Sequence, residues 1–300
     1  MSNRFQLIAA PHTPFDDRLE LNLQVVEQQI QRLIDTKVDG AFVVGSTGES
    51  ASLSTAERQQ VTERWSELAR STSLKLIVHV GHNSQKEAIE LARHAGQLDI
   101  DAIAAFAPNY FKPANAADLV EFFAPIAAAA GKPFYYYDIP ILTNVHVKME
   151  DFLAIADQIP HFQGLKFTNP NLVDFQFCRN YQNGKYEILF GCDEILLPAR
   201  SLGAVGAVGS TYNFCAPLYH KLLDAFDRGD VETARQLQWK SVQIITAIAR
   251  HGFVGAAKQV MSLIGIDCGV VRPPLASLSS AQLAELKSEL ERIGFFDEVR

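Results

Sequence analysis

Lys166 has the clearest chemical potential in this sequence, because it lies near the end of the apolar segment 162–167. Lysine is rarely buried, since removing an ammonium from water is costly and the group tends to lose its proton instead. A neutral amine in an apolar pocket is the nucleophile that forms a Schiff base with a carbonyl carbon. The alternative is a lysine at the end of a strand, where its ammonium reaches water, and position alone favours this second interpretation.

Three consecutive tyrosines close another apolar segment, directly before Asp138-Ile139-Pro140. Because neighbouring residues of a strand point to opposite faces, we expect Tyr135 and Tyr137 on one face and Tyr136 on the other. A tyrosine at the carboxyl end of a strand can relay protons, whereas most such tyrosines are only packed. At this level both interpretations of Tyr137 stay open.

The segment Gly45-Ser46-Thr47-Gly48-Glu49 also follows an apolar run. Glycines let a ligand approach the backbone, and hydroxyls and amides can donate hydrogen bonds to an anion. The segment lacks the lysine of a P-loop and does not have the Gly-x-Ser-x-Gly pattern of a nucleophile elbow. It is therefore either a plain loop or an anion site.

Two further motifs do not support a nucleotide cofactor or a metal. The glycines of 203–209 recur every third position, whereas the dinucleotide fingerprint separates its first two glycines by one residue. We expect tight packing there, with Gly209-Ser210 facing a ligand. His79 and His82 flank a strand end without an evident third ligand, so we predict no metal.

The composition favours a small-molecule partner. With 48% hydrophobic residues the chain has material for a large core, and 27 basic against 34 acidic residues give a net charge of −7. This balance argues against a nucleic-acid or anionic-membrane surface. The longest apolar stretch, 122–130, is too short to span a bilayer. Four scattered cysteines without a CxxC motif predict reduced thiols and a cytoplasmic location.

Short apolar segments alternate with longer amphipathic ones along the first two thirds of the chain. The predicted strands are 7–10, 40–44, 74–80, 102–106, 133–137, 164–167, 188–191 and 204–209. The predicted helices between them are 21–37, 54–70, 84–95, 116–130, 149–158, 172–180 and 194–202. Capping boxes are expected where Ser54 precedes Glu57 and where Ser84 precedes Glu87.

This alternation predicts an α/β fold with parallel strands. Periodicity does not separate a closed eight-stranded barrel from a doubly wound sheet. After residue 210 the strand signal stops, and helices are predicted at 217–228, 231–250, 253–264 and 280–293. No linker divides the two parts. We therefore expect a helical extension, 213–300, packed on residues 1–212 as one structural unit.

Taken together, four segments resemble the class I aldolase family of N-acetylneuraminate lyase and dihydrodipicolinate synthase. They are 45–49, Tyr137-Asp138-Ile139-Pro140, Gly164-Leu165-Lys166-Phe167-Thr168 and Val208-Gly209-Ser210, and the resemblance runs from about Leu7 to the C-terminus. It implies a (β/α)8 TIM barrel with a C-terminal helical extension. It also implies a homotetramer that uses no metal and no organic cofactor.

A few positions favour the lyase branch of this family. Dihydrodipicolinate synthases carry an arginine five residues after the strand-five tyrosine, where this chain has Leu142. An aliphatic side chain cannot form the bidentate pair that holds a second carboxylate. Gly191-Cys192-Asp193-Glu194 resembles the lyase pattern that binds sugar hydroxyls. Asn144 departs from the family, in which glycine is common at that position.

The resemblance also implies roles for individual residues. Lys166 would form an iminium with the ketone of a 2-keto-3-deoxy sugar acid, Tyr137 would accept the C4 hydroxyl proton, and pyruvate would be released. Ser46 and Thr47 would bind the carboxylate. Tyr110 would reach into a neighbouring subunit's site. The residues expected to bind the polyhydroxyl tail are Thr168, Gly191, Asp193, Glu194 and Ser210.

The leading hypothesis is therefore cleavage of N-acetylneuraminate to pyruvate and N-acetylmannosamine. The alternatives are an aldolase for another 2-keto-3-deoxy sugar acid, a dihydrodipicolinate synthase-like enzyme and a non-catalytic pyruvate-binding barrel. Retention of both Lys166 and Tyr137 argues against the last, because a binding module does not need the covalent pair.

Overall fold

A computed structural model describes residues 4–299, in which eight parallel strands close into a barrel in chain order. The strands are β1 (Gln6–Ala9), β2 (Gly40–Val43), β3 (Lys75–His79), β4 (Ala102–Phe106), β5 (Phe134–Asp138), β6 (Phe162–Phe167), β7 (Glu187–Phe190) and β8 (Gly206–Gly209). Because β1 pairs with β8, the sheet has no open edge. The (β/α)8 TIM barrel is confirmed, and the doubly wound sheet is excluded.

Twelve α-helices lie within the described residues. They are α1 (Val25–Asp35), α2 (Thr55–Ala69), α3 (Gln85–Gly96), α4 (Ala116–Ala130), α5 (Pro140–Thr143), α6 (Met149–Leu153), α7 (Leu172–Asn180), α8 (Leu196–Ser201), α9 (Tyr212–Asp227), α10 (Val231–Ala249), α11 (Phe253–Leu263) and α12 (Ser280–Ile293). The short helix α5 was not predicted. The predicted helices 149–158 and 194–202 each contain a 3₁₀ turn beside a shorter α-helix.

The starts of α2, α3 and α9 can be compared with what the sequence predicts for them. Helix α9 begins at Tyr212 rather than at Pro217, so the proline lies inside the helix, and the backbone departs from helical geometry at Cys215, two residues before it. Ser54 and Glu57 form the predicted capping box. Ser84 caps α3, but the carboxylate of Glu87 accepts a hydrogen bond from Thr55 Oγ1 at 2.5 Å, so the second box is incomplete.

The apolar side chains form two layers, one inside the barrel and one between the strands and the helices. Tyr135 and Tyr137 point into the barrel and Tyr136 points outward, as the alternation predicts. A register shift between β5 and β6 pairs Tyr135 with Gly164 and Tyr137 with Lys166. This register directs Lys166 into the barrel beside Tyr137.

The C-terminal helices pack on the barrel. Helix α9 contacts β1, α1 and α8, and α10 contacts α9, α11 and α12. Lys258 of α11 forms a fully buried ion pair with Glu49, with 2.8 Å between Nζ and Oε1. Lys258 Nζ also donates to the Val270 carbonyl at 2.6 Å. The division at residues 212 and 213 stays a prediction. Within residues 4–299, no helix is both long and apolar enough to cross a membrane.

Replacing Lys258 with methionine should lower the free energy of unfolding by about 3–5 kcal/mol, because it leaves the Glu49 carboxylate buried without its partner. The double variant Glu49→Gln/Lys258→Met should lose less, since no buried charge remains. Urea unfolding at neutral pH measures both.

The matched control is Arg93→Met, which breaks the exposed pair with Glu90 and should cost about 1 kcal/mol or less. A loss at Lys258 as small as that of the control would contradict the ion pair's structural role.

Candidate active site

The predicted site residues meet at the carboxyl ends of the strands, around a cavity of about 330 Å³. Nine of the ten line it: Ser46, Thr47, Tyr137, Lys166, Thr168, Gly191, Asp193, Glu194 and Ser210. A larger cavity of about 530 Å³ lies at the other end of the barrel, where the strands begin, and none of the predicted site residues line it. We assign the site to the smaller cavity, because active sites of such barrels lie at the carboxyl ends of the strands.

Lys166 is buried inside the barrel, with 4% of its surface exposed. Its Nζ lies 3.8 Å from the centroid of the Phe42 ring and 3.9 Å from that of Tyr137. Among residues 4–299, no carboxylate lies within ion-pair distance of it. Burial lowers the pKa of Lys166 to about 7, although Asp193 and Cys192 oppose the shift. The water-exposed interpretation is wrong, and near neutral pH roughly half of the Lys166 side chains carry a neutral amine.

Tyr137 lies beside this amine because the two residues are paired across β5 and β6. Its hydroxyl is 3.4 Å from Ser46 Oγ, and its ring packs edge-on against Phe42 with 5.4 Å between centroids. Burial raises the pKa of Tyr137 to about 12, against the effect of the Ser46 hydrogen bond. The phenol therefore keeps its proton at neutral pH and is in position to exchange it with a ligand.

The segment 45–49 forms a folded turn at the end of β2 rather than a loose loop. Thr47 Oγ1 and Ser210 Oγ are 2.6 Å apart, which joins this turn to the end of β8. Thr13 Oγ1 donates to the Gly48 carbonyl at 2.6 Å. A Cβ on Gly45 would lie 2.8 Å from the Phe42 ring, so the close approach requires glycine. The hydroxyls of Ser46 and Thr47 thus face the cavity on a fixed backbone.

Asp193 contributes a buried carboxylate to the wall of the cavity. Its Oδ2 accepts from Thr211 Oγ1 at 2.5 Å, whereas Oδ1 has no partner. Burial raises the pKa of Asp193 to about 6, opposed by the hydrogen bond from Thr211. A Cβ on Gly209 would collide with this carboxylate, and one on Gly191 would collide with Thr168 Oγ1. Both glycines therefore make room for polar side chains.

Residues of the C-terminal helices hold Asp193, and the sequence analysis missed them. Gln238 Nε2 donates to the Asp193 carbonyl at 3.0 Å, while Gln238 Oε1 accepts from the Leu197 amide at 2.7 Å. Tyr219 joins Thr211 to Ser241 through hydroxyl contacts of 2.8 Å. These partners lie far from Asp193 in sequence, and no local motif marks them.

An apolar wall completes the cavity, and of its residues the sequence analysis singled out only Leu142. Its residues come from α5 and from the helices after the barrel: Ile141, Leu142, Ile245, Phe253 and Val254. Because these positions carry ordinary core-type side chains, nothing in their residue types distinguishes them from packing residues. The cavity therefore has one polar side and one apolar side.

His79 and His82 do not approach a common point as metal ligands would. His79 is buried with Nδ1 3.0 Å from the Val44 carbonyl, and His82 Nδ1 accepts from the Ser84 amide at 2.9 Å. Within the described part of the chain, no group of three or more His, Cys, Asp or Glu side chains is arranged to hold a metal.

Tyr110 lies outside the cavity, with 79% of its surface exposed. Its ring packs edge-on against Phe111, which is also exposed, with 5.0 Å between centroids. One chain does not bring Tyr110 to the site. Its entry into a neighbouring subunit's site stays a prediction.

The low pKa of Lys166 makes stability depend on pH. Because the folded-state pKa, about 7, lies below the ordinary value of 10.5, the unfolded chain binds more protons between these values. The free energy of unfolding should therefore rise with pH by up to about 1.4 kcal/mol per unit in that range.

Lys166→Met removes this dependence. The variant should be more stable than the wild type near neutral pH, and its advantage should shrink steadily as the pH rises toward 10.5. Urea unfolding of both proteins across this range measures the difference. An advantage that stays constant with pH would contradict the lowered pKa.

Comparison with known proteins agrees with this architecture. The model of the dihydrodipicolinate synthetase family matches residues 4–293. The N-acetylneuraminate lyase of Rattus norvegicus is 40% identical over 296 residues, which cover 96% of this chain and 92% of the relative. The lyase of Homo sapiens shows the same identity and coverage.

Solved structures give the same result. The Proteus mirabilis N-acetylneuraminate lyase superposes with a TM-score of 0.94 at 41% identity, covering 98% of this chain and 99% of that one. The enzyme from Aliivibrio salmonicida has a TM-score of 0.94 at 39% identity, with 98% of each chain covered. With nearly its whole length matched in sequence and in structure, the chain belongs to the dihydrodipicolinate synthetase family.

Proposed function

We propose that the protein is a Schiff-base aldolase that cleaves N-acetylneuraminate to pyruvate and N-acetylmannosamine. The observation that carries this proposal is the buried amine of Lys166, 3.9 Å from the centroid of the Tyr137 ring, in a cavity with one strongly polar wall. Relatives named N-acetylneuraminate lyase, about 40% identical over almost the whole chain, support the choice of substrate.

The reaction begins at Lys166. Its amine attacks the C2 ketone of the open-chain sugar acid, and loss of water gives an iminium. The iminium withdraws electrons from the C3–C4 bond when the proton leaves the C4 hydroxyl. Cleavage of that bond releases N-acetylmannosamine and leaves an enamine, which is protonated at C3. Hydrolysis then frees pyruvate and restores the amine.

Tyr137 moves the C4 proton. Because its pKa is raised to about 12, the phenolate is scarce at neutral pH, and the phenol acts as a relay rather than as a free base. It passes its own proton to Ser46 Oγ, 3.4 Å away, while it accepts the proton from the substrate. The Ser46 hydroxyl in turn gives its proton to the substrate carboxylate that it binds, and this proton is returned when the enamine is protonated at C3. The contact with Ser46 thus links proton transfer to the turn of residues 45–49, which we call the carboxylate-binding turn because its Ser46 and Thr47 would bind the substrate carboxylate.

The two ends of the substrate bind to different parts of the cavity. Ser46 and Thr47 bind the carboxylate through hydroxyls and amides. The hydroxyls of the sugar face the polar wall, which includes the side chains of Asp193 and Thr168. Gly191, Glu194 and Ser210 complete this wall. A polyhydroxylated ligand can form hydrogen bonds with the carboxylates and hydroxyls of this wall, which supports a sugar acid as the substrate.

The synthase-like alternative has less support. Leu142 lines the cavity at the position where the synthases carry arginine, so a second carboxylate would lack its bidentate partner. The non-catalytic alternative does not account for Lys166, because a binding module gains nothing from the cost of burying an amine.

We further propose a cytoplasmic homotetramer. All four cysteines, at 178, 192, 215 and 268, are free thiols, which fits a reducing compartment. Large apolar side chains are exposed on the single chain at Tyr110, Phe111, Val173 and Phe177, and assembly would cover them. In such an assembly Tyr110 would approach a neighbouring site.

Borohydride reduction in the presence of pyruvate should attach one pyruvyl group to Lys166, because the neutral amine forms a reducible imine. Lys166→Ala should form no adduct and cleave no N-acetylneuraminate. Tyr137→Phe should still form the adduct but lose cleavage about 100-fold or more, since it lacks only the proton relay. Peptide mass spectrometry locates the label, and a label on another lysine would refute the assignment.

Asp193→Asn should lower kcat/KM for N-acetylneuraminate about 10–100-fold, because one charge-assisted hydrogen bond to the sugar is weakened. Adduct formation with pyruvate should stay near the wild-type level, since pyruvate has no hydroxylated tail. Asp224→Asn makes the same change on the exposed face of α9 and serves as the control. A parallel loss of pyruvate binding in Asp193→Asn would show that the residue supports Lys166 or the fold instead.

A further inference from the structure

The carboxylate-binding turn starts from an unfavourable backbone conformation. Val44, the residue before Gly45, has a φ of 57°. This left-handed region is uncommon for any residue with a side chain and strongly disfavoured for a β-branched one. Such a conformation persists only where surrounding contacts hold it in place. The contacts of Val44 therefore determine where the hydroxyls of Ser46 and Thr47 lie.

His79, at the end of β3, makes the decisive contact. Its Nδ1 lies 3.0 Å from the Val44 carbonyl, and its Nε2 lies 3.4 Å from the Phe106 amide. The carbonyl can only accept and the amide can only donate, which places the ring proton on Nδ1. Arg58 Nη2 also lies 3.4 Å from Nδ1, but this contact is longer than the one with the carbonyl, and the guanidinium already donates to the His79 carbonyl at 2.7 Å. Burial and the nearby charge of Arg58 hold the pKa of His79 well below its usual value, which keeps the ring neutral.

The same ring packs against the proton relay. The His79 and Tyr137 rings meet at 88° with 5.9 Å between centroids, and the Phe106 ring lies 4.6 Å away on another side. A Cβ on Gly81 would lie 2.7 Å from His79 Nε2. The ring therefore has no free space around it, and its position restricts that of Tyr137.

Arg58 of α2 holds the backbone that carries this ring. Its side chain is buried, and its guanidinium donates to the His79 carbonyl at 2.7 Å and to the Gly81 carbonyl at 2.8 Å. Among the described residues it forms no ion pair with a carboxylate. Its two Nη atoms thus donate to carbonyls at the end of β3, whereas Nε has no partner, and these two bonds fix the strand end from which His79 projects.

We propose that His79 is a positioning residue of this site, which holds the carboxylate-binding turn through Val44 and the Tyr137 hydroxyl through ring packing. It touches neither the substrate nor the reacting atoms. The proposal rests on the proposed aldolase function, because pyruvate binding is the property that the turn serves. Two separable effects follow, one on pyruvate binding through the hydrogen bond and one on turnover through the ring.

The test compares His79→Leu with His79→Asn, two side chains of similar size. The amide nitrogen of asparagine is bonded to Cγ, as Nδ1 of histidine is, and it can donate to the Val44 carbonyl. Leucine has no donor at this position. The pyruvate concentration for half-maximal borohydride trapping should rise about 10-fold in His79→Leu, equal to about 1.4 kcal/mol, and stay within about 3-fold of wild type in His79→Asn.

The effect of the two substitutions on turnover should differ from their effect on pyruvate binding. Both variants lack the ring that packs on Tyr137, so kcat for N-acetylneuraminate should fall about 10-fold or more in each, even where asparagine restores pyruvate binding. His82→Leu, a nearby histidine outside this network, should change neither quantity. Equal pyruvate binding by the leucine and asparagine variants, whether normal or lost, would overturn the proposal.

A second measurement keeps the proposal testable if the variants do not fold. Long-range ¹H–¹⁵N NMR of the wild-type protein near pH 7 should show His79 neutral and protonated on Nδ1. Protonation on Nε2 would overturn the positioning role. This result does not depend on catalysis, whereas a wild-type protein that forms no pyruvate adduct would refute the proposed function itself.

Discussion

The barrel encloses the amine of Lys166 between aromatic rings and away from any carboxylate partner among residues 4–299. Desolvation is the largest influence on its pKa, and it favours the neutral form that can attack a carbonyl. This state requires the closed barrel, because only a sheet without edges surrounds the side chain on all sides. The neighbouring groups act on an amine that the fold has already activated.

The helices after the barrel contribute to the site as well as to stability. The buried pair of Glu49 and Lys258 ties α11 to the carboxylate-binding turn, and Gln238 of α10 holds the backbone of Asp193. Both substrate-binding segments, the carboxylate-binding turn and the segment around Asp193, are thus held in place by helices outside the barrel. The apolar wall comes partly from the same helices, which explains why the extension packs directly over the cavity.

Local sequence patterns predicted most of the secondary-structure elements and the polar residues that line the cavity. All eight strands and the long helices follow from the periodicity of the hydrophobic residues and from the length of each segment. Nine of the predicted site residues line one cavity. Position alone favoured a water-exposed Lys166, since burial depends on barrel closure and on the register shift beside Gly164. Gln238 and His79 were not predicted as supports, because their partners are distant in sequence and become neighbours only in the fold.

The most direct test of this account is the pKa of Lys166 in the free protein. With lysine labelled by ¹⁵N at Nζ, an NMR titration resolves the amine, and Lys166→Met identifies its signal by loss. A midpoint near 7 is predicted, because the buried ammonium has no carboxylate partner. A midpoint close to the ordinary value of 10.5 would contradict the claim that burial activates the nucleophile.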